Sequence, residues 1–235
     1  FISSSPNPSD KSFSFTIGDA NYLPSTEHFY VYYSEPGITW PAARDAAEDT
    51  NYYGLQGYLA TILSEEENQI AAVQINDVGW IGASDADNED DWRWVTGPEG
   101  LLNNGDGLPF WFGEGTNQGG APVNGQYSNW NGEVEPNDSG NEDYAHVTSP
   151  NVGQVGTWND LDSDGDGNDP TSNYYPKGYI VEYGGMPGDP ELNLSSSTSL
   201  SAPPIVTVEP FVGVDCALIS LSASSDDEDG SVFWF

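Results

Sequence analysis

Two stretches of this sequence hold residues that could do chemistry together. Residues 133–143 read EVEPNDSGNED, and residues 157–169 read TWNDLDSDGDGND. Carboxylates recur at short intervals, with Asn, Gly and Pro between them and no Lys or Arg in either stretch. Like charges so spaced repel, so either these are solvated acidic surfaces or a cation belongs among them. The residue types say which cation. Calcium takes about six to eight oxygen ligands, which carboxylates, Asn amides and backbone carbonyls supply. Gly and Asn let the chain turn tightly enough to present them. Glu135, Asn137, Asp138, Glu142 and Asp143 meet that requirement. Zinc prefers His and Cys, and only His28, His146 and Cys216 exist here. Magnesium also takes oxygen, but an all-protein oxygen cage favours calcium.

Two further acidic runs are less decisive. DADNEDD, at 85–91, reads equally well as a solvated face. In DSDGDGND, Asp162, Asp164 and Asp166 have the spacing of a calcium loop. The twelfth position counted from Asp162 is Asn173 rather than Glu, so this is no EF-hand and stands as an extra calcium candidate.

The charge of the whole chain bears on the same question. In 235 residues, 38 acidic side chains face 4 basic ones (Lys11, Arg44, Arg93 and Lys177), a formal net charge of -34. With no basic patch, nucleic acid and anionic membranes are poor partners, and neither is expected. Self-repulsion of this size needs screening by salt or neutralisation by bound cations. A salty or marine setting and divalent-cation binding both answer it. The single cysteine excludes an intrachain disulfide. No stretch reaches transmembrane length, so no membrane insertion is expected. The opening FISSSPNPSD lacks a basic region followed by an apolar run, so it is not read as a signal peptide.

Several elements must position these carboxylates. Phe13, Phe15 and Ile17 share one strand face, within an arm or single strand. HFYVYY, at 28–33, is β-branched and aromatic, hence a strand. Thr39 can cap a helix with Pro41 in its first turn, and Trp40, Ala43 and Ala47 fall at helical spacing. YLATI reads as a short strand. Ser64 and Glu67 have capping-box spacing and open a second helix. Beyond residue 79 the helical period disappears. VGWIGAS, WRWVTG, YAHVTS and GYIVEY read as strands among Gly- and Asn-rich loops anchored by Phe110, Trp111, Phe112 and Trp130.

The order TWPAARDAA, YLATILSEEEN, WIGASD, WRWVTG, YSNWNGEVEPND, NEDY, TWNDLD, GYIVEY resembles C-type lectin-like domains of bacterial type, from about His28 to Tyr183. The resemblance implies an α+β fold of two helices, two small antiparallel sheets and a long calcium-binding loop region. It implies a primary calcium held by Glu135, Asn137, Glu142, Asn159 and Asp160, whose side chains also bond two vicinal sugar hydroxyls. The EPN form resembles the mannose, fucose or N-acetylglucosamine type, and the Glu135–Pro136 bond is expected cis, as in the family. A second calcium would take Asp85, Glu89, Asp138 and Asp143, so the resemblance raises DADNEDD above a solvated face. One to three calcium ions are expected in all. The sequence departs from the family in two places. Its disulfide cysteines are absent, which leaves calcium to supply rigidity, and the segment after WND is longer.

The chain then divides into an arm at 1–26, a C-type lectin-like domain at 27–185, a linker at 186–203 and a partial β unit at 204–235. The last resembles the opening of bacterial immunoglobulin-like repeats. The first functional reading is a calcium-dependent carbohydrate-binding module, extracellular or on a cell surface, whose partner is a glycan. The second is a calcium-stabilised structural or adhesive subunit that meets other copies of itself by strand exchange and binds no sugar. Catalysis is not expected: no nucleophile motif is present, and a calcium-bound carboxylate is a poor general acid. Trp130 and Trp158 are expected in the core and His146 in a strand. Tyr127 and residues 110–112 are candidates to reach the pocket.

Overall fold

A computed structural model describes residues 15–17, 19–73 and 78–192. The immunoglobulin-like expectation at 204–235 and the arm before residue 15 lie outside them.

The chain enters through a hairpin, β1 (Phe15–Ile17) and β2 (Ala20–Leu23), and β2 pairs antiparallel with β3 (His28–Ser34). The described part of the expected arm is thus built into the domain's own sheet.

Two capped helices follow. Thr39 is extended and its side chain accepts from the Ala42 N–H at 3.4 Å, opening α1 (Trp40–Glu48), which buries Trp40, Ala43 and Ala47. The Trp40 indole donates to the Ile81 carbonyl at 2.8 Å, pinning the helix to the sheet. After β4 (Asn51–Tyr52) and β5 (Leu55–Leu59) comes α2 (Glu65–Ala71). Ser64 Oγ accepts from Glu67 N–H at 3.1 Å, while Glu67 Oε2 reaches back to Leu63 N–H at 2.6 Å, one residue beyond the usual box. Glu65, Glu66 and Glu67 suit the positive end of the helix dipole.

The remaining strands are β6 (Gly79–Ser84), β7 (Asp91–Trp94), β8 (Leu108–Phe112), β9 (Ala121–Pro122), β10 (Tyr144–Val147), β11 (Trp158–Leu161) and β12 (Gly178–Tyr183), with a helical turn, α3 (Gly97–Gly100), between β7 and β8. β12 is buried along its whole length because it has neighbours on both sides. It pairs antiparallel with β3 from Gly178↔Ser34 to Tyr183↔Phe29, antiparallel with β5, and parallel with β6 at Tyr179↔Trp80. β6 continues to β7, β8 and β9, and on its other edge to β10 and β11. The expected two antiparallel sheets are therefore one mixed hydrogen-bonded network, joined by the parallel β12–β6 contact.

Aromatic rings fill the core beneath the long loops. Trp94 stacks on Phe110 at 4.7 Å, Trp92 meets Trp130 edge-on at 4.8 Å, and Trp158 meets Trp94 edge-on at 5.5 Å. Trp130 and Trp158 also bridge through their backbones: Asn131 N–H donates to Trp158 O at 2.7 Å, and Trp158 N–H to Asn129 O at 2.9 Å. That clamp fixes the loop holding Glu135 against the strand holding Asn159.

Residues 186–192, the start of the expected linker, are docked. Asp189 accepts from Gln56 N–H at 3.1 Å and from Met186 N–H at 2.9 Å, and Leu192 packs on the core.

Candidate functional site

The loop from Trp130 to β10 turns on a cis Glu135–Pro136 bond, as expected, and on positive φ at Asp138 and Asn141. Asn and Asp tolerate that backbone better than other side chains. Asp160 secures the loop from below. Its Oδ2 accepts the backbone N–H groups of Asn137 and Asp138, each at 2.8 Å. Asn137 Nδ2 donates to Glu135 Oε2, Ser139 N–H to Glu142 Oε2 at 3.0 Å, and Asn159 Nδ2 to Asp160 O at 2.6 Å.

The residues of this loop part to two sides. Glu135, Asn137 and Glu142 join Asn159 around a cleft of about 360 Å³, whose wall continues through Leu161, Asp162, Gly165, Asp166 and Tyr174. Asp160 lies just beneath, with no exposed surface. Pro136 and Asp138 face a smaller cavity with Asp85, Glu89 and Asp160, the place expected for the second ion. Asp143 adjoins that cavity without lining it: its carbonyl accepts from Asp85 N–H at 3.2 Å, and its side chain accepts from Asn141 at 2.7 Å.

Electrostatics set this region apart. Among the described residues, no Lys or Arg lines either cavity. Burial, and then the charges of Asp160, Asp162 and Asp138, push Glu142 up to about 7. Burial and the Glu89 charge push Asp85 up to about 8. Burial raises Asp160 and Glu135 as well. Asp160 Oδ1 and Asp85 Oδ1 are buried, and neither accepts a hydrogen bond from the described residues. A buried anionic oxygen without a partner is costly, and a cation relieves it. The donor set, all carboxylate and amide oxygen, fits a hard cation such as calcium. Among the described residues, no three or more His, Cys, Asp or Glu side chains stand together as a ready cage. The expected primary set combines carboxylates with the amides of Asn137 and Asn159, whereas the expected second set, Asp85, Glu89, Asp138 and Asp143, is all carboxylate and is not gathered as such a cage.

The extra candidate, Asp162, Asp164 and Asp166, lies partly in the cleft wall. Asp162 and Asp166 line the main cleft, whereas Asp164 does not. Asp164 N–H caps Asp162 Oδ1 at 3.1 Å. Trp130 and Trp158 are buried, and His146 sits fully buried in β10. Tyr127 and residues 110–112 do not line the cleft. The Tyr127 hydroxyl donates to Glu65 at 2.8 Å, Phe110 and Trp111 are core, and Phe112 is exposed. Sequence reasoning missed Tyr174 in the cleft wall, and Asp90 and Glu114 at the smaller cavity. The one signal for Tyr174 was an aromatic at the end of the long segment after WND.

The family model of the C-type lectin domain matches residues 39–167. The chain belongs to that family. C-type lectin domains are in general non-catalytic binding modules. This lectin domain is 38% identical over 202 residues to Halomucin of Haloquadratum walsbyi, covering 84% of this chain and 2% of that protein. It is 29% identical over 136 residues to a perlucin-like protein of Mytilus galloprovincialis, covering 55% of this chain and 66% of that one. The chain thus spans less than two thirds of either relative. Among solved structures, the cow CD23 carbohydrate-recognition domain, studied with a GlcNAc2Man3 oligosaccharide, superposes with a TM-score of 0.44 at 21% identity, covering 72% of this chain and 96% of that domain. A calcium-independent type II antifreeze protein superposes with a TM-score of 0.43 at 18% identity, covering 74% and 97%.

Proposed function

We propose that this lectin domain is a calcium-dependent carbohydrate-binding module of a secreted or cell-surface protein. The observation that carries the reading is the convergence of Glu135, Asn137, Glu142 and Asn159 on one cleft above Asp160, whose buried Oδ1 has no donor. These five residues hold the primary calcium. Asp85, Glu89 and Asp138 hold a second, with Asp143 contributing at the rim. Bound in the cleft, calcium supplies a charged centre to which neighbouring hydroxyl oxygens of a sugar can bind. Glu135 and Glu142 accept hydroxyl protons. Asn137 and Asn159 each use one amide N–H within the protein and leave the second for a hydroxyl oxygen. The EPN order favours mannose, fucose or N-acetylglucosamine. Asp162, Asp164 and Asp166 would be the ligands of any third ion.

The setting follows from the charge. A net charge of -34 is tolerated where salt is high, and the Halomucin relative comes from a halophilic archaeon. Among the described residues, no helix is long and apolar enough to cross a membrane. The proposal includes an immunoglobulin-like unit at 204–235, outside the described residues. The strand-exchange alternative loses the described part of its donor, because residues 15–17 and 20–23 already pair within the chain's own sheet.

Calorimetric titration with calcium tests the site. The parent is expected to take up calcium, and the Glu135→Gln/Asn137→Asp variant to take it up at least about tenfold more weakly. Equal affinity would remove these residues from the site.

A further inference from the structure

One wall of the cleft runs from residues inside the family match, Asp162 and Asp166, to Tyr174, which lies past it. The matched residues end at 167, and the chain then runs through Tyr174 before entering β12 at Gly178. The segment folds back on itself. Asp166 N–H donates to Tyr174 O at 3.1 Å, Ser172 Oγ to Asp166 Oδ2, and Tyr174 N–H to Ser172 Oγ at 3.0 Å. At its root, Trp40 N–H donates to Ser163 O at 2.8 Å, tying it to α1. Asp162, Asp166 and Tyr174 thereby line one cavity with Glu135, Asn137 and Glu142.

Two properties of that wall bear on what enters. The first is the ring. Tyr174 remains 36% exposed at the mouth of a polar cleft. It lines the same cleft as Glu135, Asn137 and Glu142. An aromatic face carries partial negative charge and attracts polarised C–H groups. A pyranose held by two hydroxyls still presents such a C–H face. The second property is charge. Glu135, Glu142, Asp162 and Asp166 line the cleft without Lys or Arg among the described residues. With Asp160 beneath them and only the primary calcium bound, these carboxylates outnumber the charge of the cation and leave the cleft negative.

We propose that Tyr174 is a specificity-determining residue that stacks on the sugar, and that Asp162 and Asp166 restrict the site to uncharged or amine-bearing pyranoses, turning away uronic and other acidic sugars. This rests on the saccharide reading above. The ring supplies a contact that does not depend on hydroxyl orientation. The insert carboxylates supply the discrimination by repulsion.

The test uses the chain in calcium buffer, with methyl mannoside, glucosamine and glucuronate as probes. It compares the parent with Tyr174→Ala, Tyr174→Phe and Asp162→Asn/Asp166→Asn. Calcium affinity and near-ultraviolet circular dichroism are followed for every variant. Tyr174→Ala should lose about tenfold in affinity for the preferred pyranose, while Tyr174→Phe keeps it, with calcium affinity and fold unchanged. The parent should prefer glucosamine to glucuronate. The paired Asn substitution should narrow that ratio several-fold, as should raising salt from about 0.1 M to 1 M, which shortens the screening length from about 10 Å to 3 Å. Parent-like sugar affinity in Tyr174→Ala, or equal affinity of the parent for glucosamine and glucuronate, overturns this inference and leaves the saccharide reading standing. Calcium uptake by the parent without affinity for any saccharide overturns the saccharide reading, and this inference with it.

Discussion

Asp160 holds Asn137 by its backbone, not its side chain. One carboxylate oxygen accepts the N–H groups of Asn137 and Asp138 at 2.8 Å each, and the other oxygen accepts none from the described residues. A single buried carboxylate thus fixes the path of the EPN loop and keeps one oxygen for a ligand. Asp160 itself lines the smaller cavity, while its neighbour Asn159 lines the cleft.

Asp160→Asn should therefore act with opposite sign in two conditions. The amide oxygen can still accept both backbone N–H groups, and a buried charge is removed. In chelator the variant should melt at or above the parent's temperature. In calcium it should melt below the parent, with affinity weakened at least about tenfold. Differential scanning calorimetry in the two buffers reads both signs.

A second prediction concerns a carboxylate cluster remote from the cleft. Glu182 in β12 is buried, with His28 Nδ1 at 2.6 Å and the Tyr30 hydroxyl at 3.1 Å on one oxygen and Thr61 N–H at 2.9 Å on the other. Burial and the Glu182 charge push Glu67 up to about 7. Burial also raises Glu99. Burial lowers His28, but the Glu182 hydrogen bond and charge outweigh it and leave the ring raised. A carboxylate with a raised folded pKa contributes stability at low pH and loses it as pH rises through the folded value. A raised His loses its contribution in the same direction. Calcium-free protein should therefore lose stability between pH 4.5 and about 7, and Glu67→Gln should remove at most about 3 kcal/mol of that change. Calcium should flatten the slope, since its ligands must be ionised. Thermal melts across pH, with and without chelator, check both statements.

How much of this was legible in the sequence can be judged residue by residue. Thr39 and Ser64 announced their helices because a cap is a local device that needs only the next few residues. Glu135, Asn137, Asn159 and Asp160 were legible because their motifs recur in family order. Tyr174 was not, because a segment outside that order reaches the cleft only through its own folding. The hairpin at 15–23 was read as an arm, since pairing of β2 with β3 is set by tertiary register rather than by composition. GYIVEY read only as a strand, with no role for Glu182. Its partners come from β3 and from residue 61, distant in sequence.

Trp158 links the core to the site. Its indole donates to Asn68 Oδ1 at 2.9 Å, and the next two residues are Asn159 and Asp160. Trp158→Phe strands the Asn68 acceptor and should cost about 1–3 kcal/mol by denaturant unfolding while retaining calcium binding. Trp158→Ala should cost about 3–5 kcal/mol.

Salt should stabilise the chain even without calcium, because its net charge of -34 is screened. In chelator the melting temperature should climb steadily with sodium chloride. A flat response would show that the repulsion is already neutralised within the fold.

The most direct measurement is glycan-array binding of the parent chain in calcium, in chelator, and after calcium is restored. A calcium-dependent lectin domain retains a defined set of saccharides in calcium, releases them in chelator and recovers them on readdition. Absence of any saccharide signal, or a signal indifferent to chelator, contradicts the function assigned to Glu135, Asn137, Glu142, Asn159 and Asp160.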